Sequence, residues 1–258
     1  MSTRRTLSSV RNAARLLKEF SSREPEFGVT ELADRLGIGK SSVHRLLATL
    51  LTEDLIEQDA LTGRYRLGLA MHDLSSAASA ANNLHSAVLP AMSDLRNHTG
   101  ETVQIGVLDG REVVYIERLE GPSTLRLYVD DGRRSDAHAT CTGKCLLAFL
   151  PPEQLDRVLD DWELPRRTPH MITNHAALRR DLLKTRRRGY ALNQHESEIG
   201  VLSVAAPVRD FAGRVVAAMS VAGPAQRMES ALGEYARAVR EAGAVASRRL
   251  GWRGADRL

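Results

Sequence analysis

Apolar residues recur along the first fifty positions with a period near 3.6, the spacing of helices that bury one face. Val10, Ala13, Ala14, Leu17 and Phe20 fall on one side of a helix predicted over residues 8–21. Pro25 and Gly28 break the pattern, and Thr30 stands where an N-cap would open a short helix "ELADRLG", stopped by Gly37. A third helix follows from about Lys40 to Leu51. The period then shortens. Leu55 to Gln58 and Arg64 to Leu67 read as extended pieces around the turn "DALTG".

Residues 68–98 carry no strand signal. They are Ala-rich and helix-permissive, interrupted only by Pro90, and read as a linker helix followed by the first helix of a second domain. The stretch Ala77 to Ala81 suits close helix packing between subunits. From Glu101 apolar and polar positions alternate around Asp109-Gly110, a hairpin signal. "TLRLYV" is a further strand, "CTGKCLLAFL" a buried helix ended by Pro151-Pro152, and "HAALRRDLLKTRRRG" an amphipathic helix stopped by Gly189. "GVLSVAAPV" and "GRVVAAMSVAG" are strands joined at "RDFAG", and a last helix runs from about Met228 to Leu250. The pattern predicts two domains of α+β class, the second built on an antiparallel sheet.

Composition narrows the partners. An aromatic content of 4% argues against stacking platforms for single-stranded nucleic acid. The net charge of +4 permits a polyanionic partner. Its placement says more: from Arg35 to Thr52 there is no Asp or Glu, while Arg35, Lys40 and Arg45 are present. No apolar run approaches the roughly 18 residues of a membrane helix, and no hydrophobic region follows the charged N-terminus. Cys141 and Cys145, four apart, cannot staple a secreted scaffold, so a reduced, cytoplasmic protein without cofactor is expected.

On a wheel of about 100° per residue, Val43, Leu46, Leu47 and Leu50 of the third helix form one seam. The opposite face carries Ser41, Arg45, Ala48 and Thr52, flanked by His44 and Thr49. Small residues let such a helix sit deep in a major groove. Arg45 is placed to reach a guanine edge or a phosphate, and Lys40, Ser41 and Ser42 open the helix where its N–H groups favour phosphate. Thr30 heads the helix that would cross the backbone, and Arg64 and Arg66, alternating with Tyr65 and Leu67, would reach phosphates from the hairpin. Three short helices and a hairpin in under 70 residues make the layout of a winged helix-turn-helix on double-stranded DNA.

"TELADRLGIGKSSVHRLLATL" followed by "GRYRLG" resembles the DNA-binding domain of IclR-type transcriptional regulators. "GETVQIGVLDGREVVYIERL", "HATCTGKCLLAFLP", "GYALNQHESEIGVLSVAAPV" and "GRVVAAMSVAGP" resemble the effector domain of that family, in the same order. The resemblance implies residues 1–68 as DNA-binding domain, 69–84 as linker helix and 85–258 as a GAF-like effector and oligomerisation domain. It also implies a small-molecule pocket on one sheet face and a homodimer that pairs into a dimer of dimers. A two-fold dimer suits an operator of two half-sites in any case.

Thr140, Cys141, Thr142 and Gly143 precede or open an apolar helix, and its free N–H groups and dipole favour an anion, so a small carboxylate effector is expected. By resemblance the lining is completed by Asn193, where the family is often acidic, by Ser203, where it commonly has cysteine, and by Ser220 and Ala222. These departures predict a guest with a larger or less polar part than a short keto acid.

Three other chemistries compete. Ser203 with His138 or His195 invites a hydrolytic triad, but its strand is not the strained G-x-S-x-G turn of a nucleophile, and no enzyme is expected. His138, Cys141, Cys145, His170 and His175 follow no zinc signature, and no metal is expected. Cys141 near a helix N-terminus has the setting of a redox thiol, a minor alternative. "KTRRRG" reads as the solvated last turn of a helix. The resulting expectation is a ligand-modulated transcriptional regulator, taken as a repressor, with two rivals: a ligand-free architectural DNA-binding protein and, behind it, a ligand-hydrolysing enzyme with a DNA-binding appendage.

Overall fold

The computed structural model describes residues 7–21, 24–74, 84–122 and 134–254. It divides into two compact units between residues 82 and 83. The expected strand at "TLRLYV", the Ala77–Ala81 stretch and most of the expected linker helix lie outside the described residues.

The first unit holds α1 (Ser8–Glu19), α2 (Val29–Leu36), α3 (Lys40–Thr52) and the hairpin β1 (Ile56–Gln58) and β2 (Tyr65–Leu67). Its core joins Leu16, Phe20, Phe27, Leu32, Val43, Leu47, Leu50, Ile56 and Tyr65. Phe27 pairs with Tyr65 through two backbone hydrogen bonds of 3.0 and 2.8 Å, tying the hairpin to the chain ahead of α2. Two expectations are corrected here. The seam of α1 is centred on fully buried Leu16, whereas Val10 is 61% exposed and Ala14 is exposed. Ala13, Leu17 and Phe20 fit either phase, and the packing of α1 on the rest of the unit decides between them. The N-cap of α2 is Gly28, not Thr30, which lies within the helix. The Gly28 N–H donates to Glu31 Oε2 at 2.8 Å, the return half of a capping box, so no side chain is needed at the cap itself.

The second unit begins with α4 (Leu84–Thr99). A six-stranded antiparallel sheet follows, built from β3 (Thr102–Asp109), β4 (Glu112–Leu119), β5 (Arg134–Asp136), β6 (Ala191–Gln194), β7 (Val201–Arg209) and β8 (Val215–Pro224). Their order across the sheet is β5-β4-β3-β8-β7-β6. After β5 come a 3-10 turn (Ala137–Ala139), α5 (Cys141–Ala148), α6 (Pro152–Leu159) and α7 (His175–Arg188). After β8 come α8 (Ala225–Met228) and α9 (Leu232–Arg249). Pro90 lies inside α4 rather than breaking it, and Pro152 begins α6 rather than only ending the helix before it. At a first helical position proline loses no hydrogen bond.

The two sheet faces differ in side-chain size. One carries Val103, Ile105, Leu202, Val204, Met219 and Val221, which pack with Val88 and Met92 of α4 and Val239 of α9. Strand register puts Gly106, Gln104, Ala218, Ser220, Ala205 and Ala191 on the other face. There α5 packs across β3, β6, β7 and β8. Every residue of α5 is buried, so the strands beneath it carry small side chains to admit its backbone.

Candidate functional site

In the first unit, α3 divides as its wheel requires. Val43, Leu47 and Leu50 are buried and Leu46 is half-buried. Lys40, Ser41, His44, Arg45, Ala48, Thr49 and Thr52 are exposed, and Ser42 is half-buried. Among the described residues neither Lys40 nor Arg45 has an ion-pair partner. Thr49 turns its hydroxyl back to the Arg45 carbonyl at 2.9 Å, leaving its methyl outward.

Three other cations of this unit, Arg35, Arg64 and Arg66, are paired with carboxylates, although the side chains of Arg64 and Arg66 remain accessible to solvent as the hairpin alternation requires. Arg35 forks onto both oxygens of Glu24 at 2.9 and 2.6 Å and stacks over Phe27. The Arg35 hydrogen bond holds the Glu24 carboxyl below its ordinary range. Arg64 donates to Glu31 Oε2 at 2.8 Å and to the Glu26 carbonyl at 3.0 Å, and so braces the hairpin against the start of α2. Arg66 pairs with Glu57 on the neighbouring strand at 3.0 Å. Each positive wing residue thus arrives with its own carboxylate.

In the second unit, strand register sets Asn193 opposite Ser203, and Ser203 opposite Ala222. Ser220 lies one pair further along the same face. All four sit on the small-residue face, at the end where α5 begins. The Ser203 hydroxyl is within hydrogen-bonding reach of the Cys141 thiol. Tyr115, which no sequence motif singles out, is brought to this cluster by β4 beside Gly106. The Thr142 and Thr140 hydroxyls reach its phenol, and burial pushes that phenol up to about 12. The missed signal is register: Tyr115 pairs with Gly106, where a Cβ would lie 3.1 Å from the Thr142 methyl of α5.

Three of the expected ligand residues, Thr140, Gly143 and Asn193, also make local structural contacts. Thr140 caps α5, its hydroxyl accepting from the Gly143 N–H at 3.0 Å. A Cβ on Gly143 would lie 2.2 Å from the Ala137 carbonyl oxygen, so this glycine serves backbone-to-backbone contact and its N–H is spent on the cap. Asn193 donates to the Ala139 carbonyl at 3.0 Å and to Ser197 Oγ at 2.7 Å, and accepts from the Glu196 N–H at 2.9 Å. With both amide hydrogens and its carbonyl paired, Asn193 braces the turn after β6 against the 3-10 turn.

That turn carries the largest buried polar feature. Lys144 is 1% exposed and sits within an otherwise apolar helix. Its Nζ lies 2.6 Å from Glu196 Oε1 and 3.1 Å from Asp181 Oδ2 of α7. Burial pushes the Glu196 carboxyl up, and Lys144 opposes that shift. A lone lysine between "CTG" and "CLLA" was the available signal, because a buried ammonium requires a carboxylate partner.

The competing chemistries fare as follows. Both cysteines are buried and burial raises each thiol, Cys141 against the lowering contacts of Ser203 and Thr142, which counts against the exposed low-pKa thiol of the redox alternative. His138 is bound through Nε2 to the Pro165 carbonyl at 3.0 Å and packs edge-on to Trp162. Burial lowers its pKa. His175 contacts the Trp162 carbonyl, and His195 Nδ1 accepts from the Gly200 N–H. Among the described residues no group of three or more His, Cys, Asp or Glu is placed to hold a metal.

Comparison with known proteins gives this geometry its context. The profile of the IclR helix-turn-helix domain matches residues 9–60, and that of the bacterial transcriptional regulator IclR C-terminal domain matches residues 76–248. The HTH-type transcriptional regulator XynR of Escherichia coli is 34% identical over 247 residues, spanning 95% of this chain and 98% of XynR. The chain belongs to the IclR family of transcriptional regulators.

Solved IclR structures agree over nearly the whole length. An IclR homologue from Microbacterium hydrocarbonoxydans, complexed with 4-hydroxybenzoate, superposes with a TM-score of 0.85 at 28% identity, covering 94% of this chain and 99% of that one. An IclR regulator from Alicyclobacillus acidocaldarius gives 0.82 at 29% identity over 96% and 100%. IclR proteins are regulators, not enzymes, so Ser203 is a sheet residue rather than a nucleophile. The helix-turn-helix domain implies DNA binding, and no helix among the described residues is long and apolar enough to cross a membrane.

Proposed function

We propose that this IclR protein is a cytoplasmic repressor whose affinity for a double-stranded operator is set by a small organic acid held in the second unit. Residues 1–68 bind DNA, 69–84 link, and 85–258 bind the effector and assemble a homodimer and then a dimer of dimers. One observation carries the DNA reading. The exposed face of α3 holds Lys40 and Arg45 without counter-charges, while Arg35, Arg64 and Arg66 of the same unit are paired. Lys40, Ser41, Ser42 and His44 meet phosphates near the start of α3, Arg45 and the Thr49 methyl meet base edges, and Thr30 lies on the helix before. Arg64 and Arg66 reach phosphate only by exchanging Glu31 and Glu57 for it. Surface ion pairs are weak enough for that exchange.

For the effector, the residues with hydrogen-bonding capacity left are the hydroxyls of Thr140, Thr142, Ser203 and Tyr115, with Cys141, Ser220 and Ala222 as neighbouring wall. Several neutral donors and an apolar wall favour a carboxylate carrying an apolar or aromatic body. The relative from Microbacterium hydrocarbonoxydans, with 4-hydroxybenzoate bound, supports that class. The mechanism is a coupling free energy: the ligand favours one arrangement of the dimer and so one half-site spacing.

Fluorescence anisotropy on the DNA beside the protein's own gene, against random DNA of equal length, tests the assignment. Arg45→Ala is expected to lower affinity for the first while leaving its melting temperature and effector binding unchanged. Equal operator affinity in the variant removes Arg45 from the reading.

A further inference from the structure

A second concave site lies at the other end of α5. It is a cleft of about 890 Å³, within the size range of sites that take metabolites. Its walls come from the C-terminal turn of α7, the end of β7, the last turns of α9, and Phe149 just after α5. Its charge is one-sided. Arg186, Arg187, Arg188, Arg209, Arg240 and Arg248 line it, against Glu241 as the one lining carboxylate among the described residues. The whole chain carries a net charge of only +4, so this concentration is local.

The α7 dipole accounts for part of this, because cations suit the last turn of a helix. It does not account for Arg209 on a strand or Arg240 in the middle of α9, both half-buried. Three guanidiniums of the cleft are not consumed by neighbours. Among the described residues Arg186, Arg187 and Arg240 form no ion pair. Arg188 lies over the Tyr190 ring and donates from Nε to the Tyr190 carbonyl at 2.6 Å, yet its buried Nη2 has no partner. Arg209 is held in place, donating to the Gly213 carbonyl at 2.9 Å and lying over Phe149 and Trp252. Gly189, at φ +78°, leaves room for Arg240, whose Nε would stand 3.4 Å from an added Cβ. The cleft therefore presents guanidinium forks from two separate helices, α7 and α9, beside the held Arg209 of β7.

Planar forks match oxyanions with two acceptor oxygens, and several forks in one cleft match more than one negative charge. We propose that this cleft binds a multiply charged phosphate of the diphosphate class, at a site separate from the carboxylate effector cluster. The aromatic rings are already covered by Arg209, so recognition rests on the phosphoryl groups rather than on stacking of a base.

The test is isothermal titration of the full chain with pyrophosphate as probe. Saturable binding is expected, weakened about tenfold or more by Arg240→Gln and by the rim substitution Arg187→Gln. Arg240→Lys, which keeps the charge but loses the fork, is expected to weaken binding as well. Far-UV circular dichroism checks that the variants fold, and Arg45→Ala controls for binding on the DNA-reading helix. Any of these results overturns the proposal: no saturable binding; binding indifferent to both glutamine variants; binding lost in Arg45→Ala; or displacement by chloride as effective as by phosphate. Capture of an acidic polypeptide without any response to pyrophosphate makes the cleft a protein-docking surface instead, and also overturns it.

Discussion

Lys144→Met removes the ammonium that stands between Glu196 and Asp181 and leaves a methionine of similar length in the α5 interior. The side chains of Lys144 and Glu196 are 2% and 9% exposed, so solvent cannot replace the lost charge. Breaking a buried pair by removing one partner costs about 3–5 kcal/mol. For a unit of this size that lowers the melting temperature by about 6–20 °C near neutral pH. Acidity relieves it. The Glu196 carboxyl is already raised above its ordinary 4.5 by burial, and without Lys144 it rises further. As pH falls through that raised value, the folded variant takes up a proton that the unfolded chain does not yet bind, so its stability recovers. Thermal melts of wild type and variant from neutral pH down to about 5 read both effects. The double variant Lys144→Met with Glu196→Gln is expected to regain most of the loss at neutral pH. If the single variant melts within about 1 °C of wild type, or its deficit does not narrow on acidification, the buried-charge account of α5 is wrong.

Other substitutions probe other contacts. Gly143→Ala places a Cβ against the Ala137 backbone and is expected to cost about 1–3 kcal/mol or more in a denaturant melt, since two backbone segments must separate. His138 has a pKa below its ordinary 6.5 through burial, so the folded state excludes a proton that the unfolded chain accepts. Its contribution to stability is full above that value and is lost as pH falls below it, and His138→Gln is expected to flatten this part of the stability–pH curve. Tyr115→Phe removes the phenol beside Thr140 and Thr142 and is expected to weaken effector binding several-fold in calorimetry, with operator affinity in the absence of effector unchanged.

What could be read from the chain follows from how local each cause is. The α3 face was legible because Val43, Leu47 and Leu50 repeat at the helical period, and the β3–β4 hairpin because Asp109-Gly110 sits between alternating strands. The phase of α1 was not, since Ala13, Leu17 and Phe20 fit two phases and Leu16 is chosen by its neighbours in space. β5 and β6 are three and four residues long, too short for a period to show. Site chemistry failed where a partner is distant in sequence. Arg64 meets Glu31 33 positions away, Lys144 meets Glu196 52 away, and Asn193 meets Ala139 54 away. The helix-start pattern singles out Gly143 and the likeness to IclR proteins Asn193, but only their packing and hydrogen bonds show what each does locally. The three arginines at the end of α7 were read as a helix terminus because Arg209 and Arg240, which complete the cleft, lie on other elements.

The central claim is that a carboxylate bound in the second unit changes DNA affinity in the first. Its most direct test is anisotropy of the operator complex at fixed salt, titrated with a panel of carboxylates that includes 4-hydroxybenzoate. At least one member is expected to shift the dissociation constant by about 5–150-fold, the range of a coupling of about 1–3 kcal/mol, and operator DNA must shift affinity for that ligand by the same factor. Carboxylates that bind the protein yet leave operator affinity unchanged would contradict the account, and binding that scales only with salt and not with DNA sequence would reduce the protein to an architectural one.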